Sequence, residues 1–228
     1  SALVLIKTWS FTKLQSVDVN TLAEYLIEGF NYSDIKDDEG MNICVEGLAY
    51  LSLKTSVKVS LRNNVVSCEK LAGLALSNNF NSTFYGVLVI LANLSVSPKQ
   101  SKGKSAFESK SLKDLQSYAD LKNPNSSEED KTVEKEEDVL AFNEKYLLQN
   151  DLLSHLNSVI ASLSHGSKQQ LMRIIYNICC NRDCIQECIK QGSVTAVLQY
   201  MAKKEPTKDL IRVLASRSLT KLLIHTNP

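Results

Sequence analysis

The chain has 228 residues, 43% hydrophobic and 22% charged, so it is long enough to bury a core without disulfide or metal support. Its 26 basic residues nearly balance its 25 acidic ones, which gives no electrostatic basis for binding nucleic acid or a membrane surface. Eight glycines and four prolines are about half of average usage, which argues against a β-rich fold with many tight turns.

The first part of the chain has the pattern of successive helices. Apolar residues recur at steps of three and four over residues 3–96, the spacing of amphipathic helices. One helix is predicted to begin at Met41 or Asn42, directly after an acidic polar turn. Two more are predicted over residues 65–76 and 84–94.

Residues 97–138 interrupt this pattern. Their front half is rich in lysine and their back half in acidic residues, with few large apolar side chains. Such a segment cannot bury enough apolar surface to offset the entropy of ordering, so we predict a mobile charged insertion between repeats. A short helix is predicted inside it, over residues 110–121. Helical periodicity resumes at about Val139 and continues to the end of the chain.

A short sequence motif recurs at a regular interval. Ala49-Tyr50-Leu51-Ser52 and Ala92-Asn93-Leu94-Ser95 close two apolar runs, and Asn177 and Lys221 mark the equivalent points of two more. The four marks lie 43, 84 and 44 residues apart. A helical period in the low forties is typical of armadillo and HEAT repeats. The sequence therefore predicts an all-α solenoid, a right-handed superhelix of stacked repeats that forms a single array over residues 1–228.

The long middle interval holds either two repeats or one repeat plus an insertion. In the best-formed unit, a helix over residues 171–180 leads to a short helix and then to a corner at Gly192, 15 residues after Asn177. The same offset from Asn93 predicts a corner near position 108, yet the matching turn lies at residues 149–151, about 43 residues later. We therefore interpret the interval as one repeat plus the insertion.

No pattern of catalytic or metal-binding residues stands out. Gly103-Lys104-Ser105 has the tail of a phosphate-binding loop, but Pro98 stands where that motif needs glycine. Cys179, Cys180, Cys184 and Cys188 lie in one predicted helical stretch, where turns about 5.4 Å apart keep the sulfurs from converging on one ion. We interpret them as small apolar fillers. The sequence predicts no enzyme, no metal site and no cofactor.

In armadillo stacks the third helix of each repeat lines the concave face, so polar side chains there are natural contact positions. The marks and the residues one turn before them give these candidates for a partner-binding groove: Glu46, Tyr50, Asn93, Arg173, Asn177, Arg217 and Lys221. A second interpretation stays open. Asn and Tyr at the marks would then bond to the ends of adjacent helices, as the packing of repeats requires.

Several segments resemble one known family. VEGLAYLSLKTSVK, at residues 45–58, resembles the signature segment of the UCS domain of myosin chaperones. LTKLLIHTNP, at residues 219–228, is similar to another UCS stretch, as is the Gln191-Gly192 corner. The break after Ser95 also falls where that family inserts a long loop. The resemblance extends over residues 41–228.

The resemblance implies a cytoplasmic, non-catalytic solenoid. It would bind the myosin motor domain and promote its folding, stability or interaction with actin, without hydrolysing ATP. It implies two further partners, the cytosolic heat-shock chaperone machinery and a second copy of the parent protein, bound through regions outside this chain. The later UCS repeats and a tetratricopeptide module are not in the sequence, so we expect a fragment of the UCS region. The Lys- and Ser-rich insertion favours a fungal member.

The alternative is a general armadillo scaffold or a nuclear-import-type adaptor that binds an extended peptide. Such adaptors use Trp and Asn four residues apart on successive third helices. Trp9 is the only tryptophan in the chain, and Lys13 stands four residues after it. The sequence therefore favours the myosin chaperone over the import adaptor.

Limited proteolysis tests the predicted organisation. We expect the protease to cut first within residues 97–138, because this segment has the least apolar surface to bury. The two helical blocks should then elute together from a size-exclusion column. Cleavage scattered evenly along the chain would contradict a solenoid with one insertion.

Overall fold

The computed structural model describes residues 18–33, 38–77, 79–99, 132–202 and 210–225. Some predictions lie outside these residues: the helical pattern at residues 3–17, the helix over residues 110–121 and most of the insertion.

The described residues form eleven α-helices and no strand, which confirms the all-α prediction. In chain order the helices are α1 (Val19–Tyr32), α2 (Asp38–Leu51), α3 (Thr55–Asn63), α4 (Val65–Leu76), α5 (Ser82–Leu94), α6 (Glu136–Phe142), α7 (Leu152–Ser158), α8 (His165–Ile178), α9 (Ile185–Lys190), α10 (Ser193–Ala202) and α11 (Leu210–Ile224). A π-helical segment, Asn143–Leu148, continues α6, and short 3₁₀ turns precede α8 and α9.

Helix starts are fixed by polar side chains at the capping position. Asp18, Asn64 and Asn81 each accept a hydrogen bond from the backbone N–H three residues later, at the starts of α1, α4 and α5. The predicted start of α2 at Met41 or Asn42 is wrong, since the helix begins at Asp38. Asp38, Glu39 and Gly40, which we interpreted as part of a turn, form the first helical turn, where negative charge is favourable near the helix N-terminus.

The helices stack in layers around one continuous hydrophobic core. Helices α2, α5, α8 and α11 pack each on the next, and we call this set the third-helix layer. Helices α1, α4, α7 and α10 form a second layer behind it. Because α5 packs directly on α8, the long middle interval corresponds to a single step of the stack.

Two corners of the stack share an unusual backbone conformation. Gly192, before α10, has a φ of 83°, and Asp151, before α7, has a φ of 54°. Glycine adopts this left-handed region without strain, and aspartate is among the few other residues that tolerate it. The turn at residues 149–151 is thus the counterpart of the Gly192 corner, as its spacing predicts.

The chain segment after residue 131 is anchored to α3 by a buried ion cluster. The carboxylate of Glu134, only 6% exposed, contacts the Arg62 guanidinium and lies 3.1 Å from Lys58 Nζ. Arg62 Nε also donates to the Leu94 carbonyl at 3.1 Å, which connects the cluster to the end of α5. Helix α6 accordingly begins at Glu136, ahead of Val139, where the sequence predicts that helical periodicity resumes.

The Glu134→Gln variant tests this anchor. It leaves Lys58 and Arg62 buried without their carboxylate, so we expect the free energy of unfolding to fall by about 3 kcal/mol. The urea midpoint of the full chain measures the change, with Glu137→Gln, at an exposed position, as the matched control. Equal midpoints for the two variants would show that the cluster contributes no stability.

Candidate partner-binding groove

All seven groove candidates lie on the third-helix layer, but their exposure differs. Asn93 and Asn177 are buried, with 4% and 7% of their surface exposed. Tyr50 is 50% exposed and Arg217 is also exposed. The other three, Glu46, Arg173 and Lys221, are partly buried. The candidates therefore divide into residues inside the stack and residues at its surface.

The two asparagines connect successive third helices. Asn93 Nδ2 donates to Ser52 Oγ at 3.0 Å, and Asn177 Nδ2 donates to Ser95 Oγ at 2.9 Å. Each acceptor serine stands two residues after the preceding mark. Asn177 Nδ2 also donates to the Ala92 carbonyl at 3.0 Å, one of the carbonyls that the end of α5 leaves without a helical partner. Both amides are thus used in packing one repeat against the next.

Lys221 occupies the same position on α11. Its Nζ lies 3.1 Å from Cys180 Sγ, just beyond the end of α8, and 5.5 Å from the centre of the Tyr176 ring. The ammonium group therefore rests over an aromatic face, a favourable arrangement for a cation. Lys221 reaches back to the preceding third helix, as the asparagines do, but it remains partly accessible.

Arg173 links the buried and exposed parts of the layer. Its Nη2 donates to Asn93 Oδ1 at 3.1 Å, and its Nη1 donates to Gln170 Oε1 at 2.7 Å. Asn93 therefore bonds to Ser52, directly after α2, through its amide nitrogen and to α8 through its amide oxygen. This chain of contacts fixes three adjacent helices in one register.

Two tyrosines and an asparagine of this layer are not among the predicted candidates. Tyr85 is 41% exposed and packs over the start of α8, where a Cβ at Gly166 would be 3.1 Å from the tyrosine ring. Asn42 Oδ1 accepts from the hydroxyl groups of Ser82 and Thr83 at 3.2 and 3.3 Å. Asn42 and Tyr85 stand two turns before the marks, so extending the periodic comparison by one turn would find them. Tyr176 directly precedes a mark and packs under Lys221.

The cysteine cluster differs from the sequence prediction. Cys179 follows α8, Cys184 lies in a 3₁₀ turn and Cys188 lies in α9, so the four cysteines do not follow one helix. The chain turns at Asn181, which brings Cys179 and Cys188 together. A hydrogen bond with Cys179, together with burial, raises the pKa of the Cys188 thiol far above its ordinary value. Burial likewise raises the pKa of Cys184.

The described residues contain no group of three or more His, Cys, Asp or Glu side chains arranged to hold a metal ion. Within the same part of the chain, no helix combines the length and apolar character needed to cross a bilayer.

Comparison with known proteins finds close relatives, although no family model matches the chain. The chain is 43% identical to SWI5-dependent HO expression protein 4 of Saccharomyces cerevisiae over 241 aligned residues, which cover all of this chain and 30% of that protein. The crystal structure of She4p matches with a TM-score of 0.75 and 37% identity, over all of this chain and 27% of that one.

UNC-45 from Drosophila melanogaster matches with a TM-score of 0.65 and 20% identity, over all of this chain and 28% of its own. At this identity the likeness concerns the fold alone. The chain thus spans less than a third of each relative, and the shared fold confirms the predicted armadillo-like solenoid.

The Asn177→Ala variant separates the two interpretations of the marks. It removes two hydrogen bonds at a buried site, so we expect the free energy of unfolding to fall by about 2 kcal/mol. Urea unfolding measures this change, with the exposed Asn150→Ala as control. An unchanged urea midpoint combined with weaker partner binding would instead assign Asn177 to recognition.

Proposed function

Because the chain belongs to the UCS family, we propose that it is a myosin-specific chaperone segment that binds the motor domain of myosin through the third-helix layer. Binding would promote the folding or stability of the motor, or its interaction with actin. The observation that carries the proposal is the 43% identity to the yeast relative over the whole chain.

The segment that carries the family resemblance supports a role in binding. Residues 45–58 extend from α2 into α3, and their Val45, Leu48 and Val57 side chains are buried. Tyr50 and Leu53, in contrast, are 50% and 43% exposed. Large exposed apolar side chains supply contact area that a partner can cover. The same segment therefore contributes to the core and presents apolar surface to a partner.

The proposed mechanism needs no catalytic step. A partly folded motor domain exposes apolar segments that otherwise aggregate. Aromatic side chains at the surface of the layer, such as Tyr50 and Tyr85, supply large contact area at a low cost in conformational entropy. Exposed polar groups elsewhere on the layer, such as Arg217 on α11, add orientation. Holding an exposed motor segment in this way would slow its aggregation without hydrolysing ATP.

The other partners and the location are proposals for the whole protein. We infer a cytoplasmic location because myosin motors fold there. The cytosolic heat-shock chaperone machinery and a second copy of the protein are further proposed partners, and we assign no surface of the described residues to either.

Binding to a purified myosin motor domain tests the proposal. We expect the chain to bind the motor in calorimetry and to reduce light scattering when the motor is heated in the same solution. The Tyr50→Ala/Arg217→Ala double variant should weaken binding at least about tenfold, since it removes one aromatic and one charged contact at exposed positions.

The matched control is Tyr25→Ala/Arg182→Ala, which changes two exposed residues of the same types outside the third-helix layer. This control should bind and protect the motor as the unchanged chain does. If the chain neither binds the motor nor suppresses its aggregation, the proposal fails, and a general armadillo scaffold becomes the better description.

A further inference from the structure

A cleft of about 520 Å³ lies between α1 and the junction of α3 and α4. Glu24, Glu28 and Tyr32 line it from α1, and Ser60 on α3 and Val66 on α4 line it from the other two helices. None of these helices belongs to the third-helix layer. The cleft is therefore a surface distinct from the candidate groove.

The α1 side of the cleft is a stripe of exposed side chains. Glu24, Glu28 and Tyr32 recur at every fourth position, so they lie one above another on the same face of the helix. All three are exposed, and Tyr32 is 84% exposed. Val66, at the start of α4, is 57% exposed. The cleft thus offers two carboxylates in succession, followed by an aromatic ring, with an aliphatic side chain on the neighbouring helix.

Hydrogen bonds between the helices fix the walls of the cleft. Asn31 Nδ2, on α1, donates to Asn64 Oδ1 at 3.4 Å, and Ser67 Oγ, on α4, donates to Asn31 Oδ1 at 2.8 Å. Lys70 Nζ, also on α4, donates to the Ser33 carbonyl just after α1 at 2.6 Å. A partner would therefore meet a surface whose backbone is already ordered, which lowers the entropic cost of binding.

The negative charge of the stripe is not balanced within the described part of the chain. Neither glutamate of the stripe has an ion-pair or hydrogen-bond partner there, and α1 contains no lysine or arginine. The cations of the other two helices are used elsewhere. Lys58 and Arg62 on α3 are buried against Glu134, and Lys70 on α4 bonds to backbone carbonyls. Like charges one turn apart on a helix also repel each other, so a cation from a partner is favoured at both positions.

We propose that this cleft binds a basic, extended segment of a partner polypeptide. Two basic side chains of the segment lie over Glu24 and Glu28, and an apolar side chain lies over Tyr32 and Val66. Arginine suits the site better than lysine, because its planar guanidinium group can pair with a carboxylate through two hydrogen bonds and can stack on an aromatic ring. The inference goes beyond the proposed function and does not depend on it, since no residue of the cleft lies on the third-helix layer.

The spacing of the stripe specifies the pattern of this segment. A helix rises about 1.5 Å per residue, so successive members of the stripe are about 6 Å apart along α1. In an extended chain, residues two apart point to the same side and lie about 6.6 Å from each other. Basic, basic and apolar residues at alternate positions would therefore meet Glu24, Glu28 and Tyr32 in order.

A labelled peptide with the core Arg-Ser-Arg-Ser-Leu tests the inference. It is made in both chain directions, because the stripe does not specify direction, and a control peptide has glutamine in place of both arginines. Fluorescence anisotropy at about 0.1 M salt measures the binding of each to the full chain. We expect the arginine peptide, in one direction, to bind at least about tenfold more tightly than the glutamine peptide. Equal binding of the two peptides would overturn the inference.

Variants of the chain locate the binding site. Glu24→Gln/Glu28→Gln should remove most of the preference for arginine. Both positions are exposed, so the urea midpoint should not fall and lost binding cannot be assigned to unfolding. The matched control is Glu144→Gln/Asp183→Asn, which removes two exposed carboxylates from a second acidic cleft, between the π-helical segment and the turn before α9. Weaker binding by this control, with the first variant unaffected, would overturn the inference.

The apolar end of the site is tested in the same way. Tyr32→Ala should weaken binding of the arginine peptide, whereas Tyr25→Ala, which changes an exposed tyrosine of α1 that does not line the cleft, should not. Equal effects of these two variants would contradict a site that includes Tyr32.

The third-helix variant separates this inference from the proposed function. Tyr50→Ala/Arg217→Ala should bind the arginine peptide as the unchanged chain does, although we expect it to bind the motor domain more weakly. If it loses the peptide as well, the peptide binds the third-helix layer and the cleft assignment is wrong. If the unchanged chain binds the peptide at the cleft but does not bind the motor, the myosin proposal fails and the cleft assignment stands.

Discussion

The direct packing of α5 on α8 is the contact on which the rest of the structure depends. These helices lie on either side of the charged segment, yet Asn177 donates hydrogen bonds to the Ala92 carbonyl and the Ser95 hydroxyl. Without this contact the chain would form two separate pairs of third helices. With it, α2, α5, α8 and α11 form one continuous layer. The partner surface that we propose across all four helices requires this layer to be continuous.

The helices of the third-helix layer both pack against one another and form its surface. Side chains at different positions along each helix serve these two roles. Asn93 and Asn177 point into the stack and satisfy groups at the ends of the preceding helices. The position one turn before a mark carries Arg173 on α8 and Arg217 on α11, where a side chain reaches the surface. We expect substitutions at the first kind of position to alter stability and those at the second kind to alter partner binding.

Local patterns account for what the sequence predicts correctly. Helical periodicity, the interval between marks and the corner before Gly192 all depend on residues close together in the chain. The burial of Glu134 was not predictable in this way, because its partners Lys58 and Arg62 stand more than seventy residues earlier. An acidic run without its partner cations has the pattern of a solvated segment. The convergence of Cys179 and Cys188 escaped prediction for a similar reason, since the turn at Asn181 divides what looks like one helix.

The anchor at Glu134 explains how the third-helix layer stays continuous on either side of residues 100–131. Lys99 and Glu136, on either side of residues 100–131, are joined by an ion pair at 2.7 Å, and Glu134 is buried against α3. Burying three charges is itself unfavourable unless the partners meet closely. Arg62 meets this condition by binding both Glu134 and the Leu94 carbonyl, which fixes the return of the chain beside the end of α5. The buried Glu134 thus holds the helices on either side of residues 100–131 in one register.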